Sequence, residues 1–261
     1  MVYSVFYLPL PSHRTLLADT HHFDDSKVLK PEVRSSLMEI LCTPSSDLYK
    51  TCGWATKLLS ARDISSNMLQ ANGVYNLNAQ AMDATIELIQ GVIDKGINVK
   101  EIYVDALGNT VVYQQKLARL FPRSKVVVEK KADSLYPCVS AASVCAKVTR
   151  DAALEVCYET YASDPSAESW GSGYPSDGRT ITWMKQNMDP LFGWGTECRF
   201  SWGTAKEMLE TKSMAVKVEW PVDGGDDGMR MTDFFASKED GEEEGDELSN
   251  WYGKRVTEAM W

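Results

Sequence analysis

The sequence predicts an α/β fold: a mixed sheet flanked by helices, followed by a helical C-terminal part and an acidic tail. Three observations predict it. Residues 101–129 read as strand, helix, strand. An apolar run, Ile102-Tyr103-Val104, stops at Asp105; a helical pattern of Val111, Val112, Gln115, Leu117 and Leu120 ends at Phe121-Pro122; the β-branched run Val126-Val127-Val128 follows. The crossover is long enough for a parallel βαβ unit, and such crossovers place the two strands side by side with one handedness. Residues 2–8, VYSVFYL, are almost continuously apolar, as in a strand buried on both faces. Residues 75–96 carry a helical stripe of Met82, Ile86, Ile89, Val92 and Ile93 that Gly96 ends.

The other elements follow in order. His13, His21 and His22 fall in a polar loop without companion ligands and read as surface residues. Pro31 and Glu32 open a helix whose stripe is Val33, Leu37, Ile40 and Leu41. Tyr49 to Leu59 alternates as a strand does, and Ala61 to Leu69 reads as a short helix. A long helix is expected over 140–161, a shorter one from Thr180 to Met188, and a last one over 203–212. Residues 1–218 form the body. Residues 219–249 are an acidic, apolar-poor linker expected to be disordered, and 250–261 form an amphipathic segment with Trp251, Tyr252, Val256 and Trp261.

Net charge is −10, the wrong sign for a chain that meets nucleic acid. Its distribution resolves this. Residues 219–249 hold 12 acids and two bases, so that segment carries the whole excess. Within the neutral body, 116–150 holds eight bases against Glu129 and Asp133. No apolar run approaches the ~20 residues of a membrane helix. The start lacks a basic n-region and a small-residue cleavage site, so no signal peptide is expected. Six cysteines without C-x-x-C spacing argue for reduced intracellular thiols and against zinc.

A single Asp after a strand is commonly a cap or turn residue. Here Asp105 and Asp133 both fall at carboxyl ends of neighbouring strands, the edge where open α/β sheets build sites. Lys125, Lys130, Lys131, Lys147 and Arg150 crowd the second. Carboxylates beside cations suit a divalent metal that holds a phosphate; a solvated ion-pair cluster is the plainer alternative. Small residues at 140–143 allow close approach, and Ser140 is a candidate cap for a helix pointing at an anion. Lys147 and Arg150 share a helix face.

The runs VDALGN, KKADSLYP and SAASVCAKVTRD resemble the signature of type 2 ribonuclease H, the ribonuclease HII family, and within it the catalytic subunits of the eukaryotic enzymes. The resemblance spans about residues 2 to 210. It implies an RNase H-like fold and a two-metal, Mg²⁺-dependent (Mn²⁺ as substitute) cut of RNA in RNA–DNA hybrids and 5′ to ribonucleotides embedded in DNA. It implies Asp105 and Asp133 as metal ligands. It gives Lys27 and Asn78 as substrate neighbours, with a helix start and helix capping as their respective alternatives. Tyr174, in Gly171-Ser172-Gly173-Tyr174-Pro175, would pack on the sugar at the RNA–DNA junction. Lys147 and Arg150 are candidate phosphate holders or helix-face ion pairs, and Ser140 counts as substrate-binding through the helix end it would cap. The resemblance also implies two accessory subunits and a nuclear setting in replication and repair. Met231, Phe234 and Phe235 resemble a sliding-clamp-binding peptide, with Gly228 where its leading Gln would stand.

One departure matters. The family pattern has a further strand ending in Asp-Glu, then a Gly-Arg-Gly turn, ahead of the run at 2–8, and nothing here matches it. Two Mg²⁺ bring +4 against −2 from Asp105 and Asp133, so this chain is expected to bind metal weakly and cut little. An incomplete upstream sequence explains this best. A non-catalytic paralogue that binds hybrids or a clamp is the alternative. A phosphate-handling transferase predicts a G-x-x-x-x-G-K loop that is absent.

Overall fold

The computed structural model of the chain describes residues 1–23, 29–68, 75–106, 109–161, 170–174, 177–189 and 192–212. It divides into two compact units, Met1–Leu59 with Ala81–Ala167, and Ser60–Gln80 with Glu168–Trp261. Among the described residues no helix is long and apolar enough to cross a membrane.

In the first unit, β1 (Val2–Tyr7) pairs antiparallel with β2 (Gly53–Leu58), Val2 opposite Leu58 and Tyr7 opposite Gly53. Between them the chain makes a 3₁₀ turn at Leu10–Ser12, a π-helical turn at Thr15–Thr20, α1 (Pro31–Cys42) and α2 (Asp47–Thr51). Helix α1 starts at Pro31, where the missing N–H costs nothing. The stretch expected to be a polar loop is therefore helical, because Leu17 drives it into the core with no exposed surface. The strand expected from Tyr49 starts only at Gly53. Ser46 caps α2 instead, its hydroxyl accepting from the Tyr49 N–H at 3.0 Å.

The second sheet is the expected βαβ unit. Strand β3 (Glu101–Asp105) pairs parallel with β4 (Lys125–Glu129), Asp105 opposite Glu129. Helix α5 (Thr110–Leu120) crosses between them, capped by the Asn109 carboxamide, which accepts from the Val111 and Val112 N–H groups. Its one buried side chain is Leu117, with Tyr113 partly buried beside it. Val111, Val112 and Leu120, counted in the stripe, face solvent. Leu117 is fully enclosed by Ile89, Ile102, Ala106, Phe121, Val126 and Val128. Helix α4 (Leu77–Asp94) supplies Ile89, and Gly96 at φ +80° ends that run. Helix α6 (Pro137–Tyr161) packs along β1 and buries Ala141, Val144 and Cys145 against Phe6, Leu17 and Leu37.

Among the described residues the strands pair as two two-stranded sheets, one antiparallel and one parallel. Of β1 only Phe6 is buried, so the expectation of a strand enclosed on both faces is not met. The reason is that, among the described residues, β1 has a strand neighbour on one edge only.

The second unit holds α3 (Ala61–Met68), α7 (Gly178–Gln186) and α8 (Gly203–Lys212). Its core is Met184, Trp194, Ala205 and Met208, and the Trp194 indole N–H donates to the Met184 carbonyl at 2.9 Å. All six cysteines are free thiols.

Candidate active site

The two sequence-chosen carboxylates lie on elements that touch. Asp105 closes β3 and is exposed. After β4 the chain reverses through Lys131, which takes the left-handed conformation at φ +57°. A 3₁₀ turn, Ala132–Ser134, follows and delivers Asp133, only 4 % exposed. The Ala132 N–H donates to Asp105 Oδ1 at 3.1 Å, tying the end of β3 to the turn that carries Asp133. Glu129, the register partner of Asp105, adds a third negative side chain on that edge and accepts from the Tyr136 hydroxyl at 3.2 Å. Sequence reading passed over Glu129. Its position at the end of β4, level with Asp105, was the available signal.

An aromatic cluster borders these groups. Alternation along β3 places Glu101, Tyr103 and Asp105 on one face. The Tyr103 ring lies 4.3 Å from that of Tyr136 and stacks on His13 at 6.3 Å and 17°. The Tyr103 hydroxyl donates to Glu101, and that bond, followed by burial, pushes its pKa up to about 12. The Cys138 N–H, in the first turn of α6, donates to His13 Nε2 at 3.3 Å. His13 is thus a packed side chain and a helix cap, not the surface residue expected.

The cap requires Nε2 to be free of its proton. Burial, then Arg14, lowers the His13 pKa, and Glu101 opposes them. Unfolded, the ring takes a proton near pH ~6.5. Folded, it does so only at lower pH. The unfolded state therefore binds the extra proton first, and stability falls as pH drops below ~6.5 towards the folded value. Urea midpoints at pH 7.5 and 5.5 are expected to show this loss, and to show a smaller one in His13→Gln.

Helix α6 carries the remaining candidates of this unit. It begins at Pro137, so Ser140 lies inside the first turn, fully buried, and does not cap the helix. Lys147 and Arg150 are partly buried. The Arg150 guanidinium bonds Asp151, with Nε to Oδ1 at 2.9 Å, the helix-face ion pair that was the plainer reading of this residue.

Tyr174 belongs to the second unit. Its loop is tightly held: Gly171 and Gly173 both sit at φ +72°, where a side chain is strained. A Cβ on Gly171 would also meet Thr180 Oγ1 at 2.7 Å. Asp177 Oδ2 accepts from the Ser172 N–H and hydroxyl at 2.8 and 2.7 Å, and Oδ1 accepts from the Arg179 N–H at 3.0 Å. These bonds, led by the Ser172 N–H, hold the Asp177 carboxyl at about 2. Thr180 Oγ1 donates to the Trp170 carbonyl and accepts from the Gly173 N–H. The loop presents Tyr174 with 48 % of its surface exposed. In α4, Asn78 is exposed, and the cap is Asn76, whose carboxamide accepts from the Ala79 N–H at 2.9 Å. Lys27, Met231, Phe234 and Phe235 lie outside the described residues.

The profile of the ribonuclease HII family matches residues 1–205. The chain belongs to the ribonuclease HII family. It is 56% identical to the A subunit of ribonuclease H2 from Neurospora crassa, across 97% of this chain and 79% of that one. It is 38% identical to the A subunit of ribonuclease H2 from Homo sapiens, across 91% and 77%. A chain of the PCNA:RNase HII complex from Archaeoglobus fulgidus superposes with TM-score 0.55 at 26% identity, covering 71% of this chain and 78% of that chain. The enzyme class is therefore hydrolase, ribonuclease H type 2.

Ribonuclease HII enzymes depend on divalent metal, which sets a test for the residues present. Asp105 and Asp133 form a hard oxygen pair, one member open and one enclosed, which fits a single cation shared with a substrate phosphate. Among the described residues no group of three or more His, Cys, Asp or Glu side chains is placed to hold a metal ion. A pair of divalent ions does not fit this donor set.

Proposed function

We propose that the chain hydrolyses the RNA strand of RNA–DNA hybrids, and cuts 5′ to ribonucleotides embedded in DNA, at the edge formed by Asp105 and Asp133. The observation that carries this is the Ala132–Asp105 hydrogen bond, which fixes the turn bearing Asp133 against the strand bearing Asp105. A divalent ion, Mg²⁺ with Mn²⁺ as substitute, would be held by these two carboxylates and would supply Lewis-acid polarisation of the scissile phosphate and a more acidic water. The chain's own groups orient that phosphate. Lys147 and Arg150 offer positive charge from α6; in the second unit, taken by itself, Tyr174 offers an exposed ring and hydroxyl of the kind that suits a ribose.

Asp105 and Asp133 balance only half of the charge of two Mg²⁺ ions, and even with Glu129, which accepts from the Tyr136 hydroxyl, the edge falls short, so a two-metal cut needs further acids. Residues 1–261 alone are accordingly expected to cut poorly. The test is cleavage, in Mg²⁺, of a duplex carrying one embedded ribonucleotide, by residues 1–261 and by a polypeptide extended upstream. Cutting 5′ to the ribonucleotide by the extended chain only is the expected result. Cutting by 1–261 alone, lost in Asp105→Asn, would overturn the charge argument. If neither cuts, the charge deficit favours a non-catalytic binder of hybrids.

Partners belong to the same proposal. The relatives are named as one lettered subunit of ribonuclease H2, which supports further subunits, and the Archaeoglobus complex supports docking of a sliding clamp. The candidate clamp segment is Met231, Phe234 and Phe235, and the setting proposed is nuclear.

A further inference from the structure

We propose that Asp177 and Thr180 are positioning residues that set the pose of Tyr174 against a ribose, and with it the preference of the chain for a ribonucleotide over a deoxyribonucleotide. This rests on the ribose reading of Tyr174 and concerns what makes that side chain specific.

The backbone around Tyr174 is held from the cap and first turn of α7. Just ahead of it, the Gly173 N–H donates to Thr180 Oγ1 at 3.1 Å. At Tyr174 itself, the carbonyl accepts from the Asp177 N–H at 3.0 Å. Two residues earlier, Asp177 Oδ2 takes both the N–H and the hydroxyl of Ser172. Thr180 Oγ1 also donates to the Trp170 carbonyl at 2.8 Å, and the Trp170 ring meets Trp183 of α7 edge-on at 5.7 Å.

These bonds exceed what the helix requires. As a cap, Asp177 needs only Oδ1, which accepts from the Arg179 N–H. Its second oxygen serves the loop. Thr180 is buried, with its hydroxyl spent on two loop peptides. Gly171 leaves room for both groups, since a Cβ there would stand 2.7 Å from Thr180 Oγ1 and 2.8 Å from Asp177 Oδ2. Tyr174, at the end of this scaffold, is nevertheless half exposed. A Tyr turns about only two side-chain torsions, so a fixed backbone leaves little to order on binding. A hydroxyl presented in one place rewards a ribose 2′-OH; one that wanders meets a deoxyribose nearly as well.

The experiment measures Kd by fluorescence anisotropy on the whole chain, 1–261, at one salt concentration. The probes are a DNA duplex with one embedded ribonucleotide and the same duplex without it. The readout is the ratio of the two constants. Partial unfolding scales both equally, so a merely structural effect leaves the ratio unchanged. Asp177→Asn keeps an acceptor oxygen for one side only, and Thr180→Val removes the hydroxyl at nearly constant shape. Each is expected to cut the ratio roughly 3–10-fold, the scale of one hydrogen bond, to the level of Tyr174→Ala. Thr180→Ser is expected to keep the ratio, and Thr180→Val is expected to add nothing to Tyr174→Ala. With the ratio lowered in Tyr174→Ala, three results would overturn the proposal alone: no change in Asp177→Asn or Thr180→Val, an equal loss in Thr180→Ser, or a further loss in the double variant. A ratio that Tyr174→Ala leaves unchanged, or a wild-type ratio near one, would sink the ribose reading of Tyr174 and the proposal with it.

Discussion

Asp105→Asn is expected to lower kcat/KM for an embedded-ribonucleotide duplex by at least ~100-fold, the scale seen when one preorganised electrostatic group is lost from an active site. The measurement belongs on whichever polypeptide, 1–261 or its upstream extension, cuts that duplex in Mg²⁺. The substitution separates two roles of one side chain. An amide oxygen still accepts the Ala132 N–H, so the link between β3 and the Asp133 turn survives, and only the charge is lost. Stability should therefore change little, with Tm moving by no more than about 2 °C. Asp105→Ala removes both. Ala132 is fully buried, so its N–H would be left without a partner or water. That costs about 1–3 kcal/mol, at roughly 2–4 °C of Tm per kcal/mol for a chain of this size. Equal Tm losses in the two variants, or an Asn variant that keeps a tenth of its activity, would contradict this division.

Leu117→Ala is expected to cost about 3–5 kcal/mol, the upper part of the range for leucine truncation in a closed core. Leu117 has no exposed surface and is the one buried side chain of α5, with Tyr113 partly buried against the same cluster. Around it, Ile102 comes from β3 and Val126 and Val128 from β4, so truncation opens a hole beneath the strands that end at Asp105 and Glu129. The site is expected to suffer with the core, because among the described residues no third strand helps the two parallel strands to hold their register. Denaturant unfolding followed by circular dichroism measures the loss. Leu117→Met, which conserves volume, is expected to cost less than about 1.5 kcal/mol. A Leu117→Ala loss below about 1 kcal/mol, well under the range for buried leucines, would mean that α5 does not anchor the pair.

The parts of this fold visible in the sequence are those whose cause is local. The βαβ unit and its parallel pairing follow from periodicity and crossover handedness, and Gly96 stops α4 as its conformational freedom predicts. The misses have causes that lie far along the chain. His13 becomes a cap because the first turn of α6, 125 residues later, returns beside it. Leu10 to Thr20 winds into helical turns because Leu17 is needed in a core built by α1 and α6. Ser140 is no cap because its helix already starts at Pro137. Of the site, the carboxylates were legible as residue types at strand ends. The supporting bonds to Ala132, Tyr136 and Glu101 were not, since nothing in residue order announces which hydroxyl or amide will arrive.

The packing of Phe6 against Val144 and Cys145 also sets a timetable for synthesis. The strand that carries Phe6 is made about 140 residues ahead of its covering helix. At ~5–20 residues per second, that is a wait of roughly 7–28 s. Throughout it an apolar edge strand is available to other nascent chains, the hazard that unsealed edges pose. Soluble yield should therefore respond to translation rate and to chaperones that hold early strands, even for variants whose finished stability is unchanged.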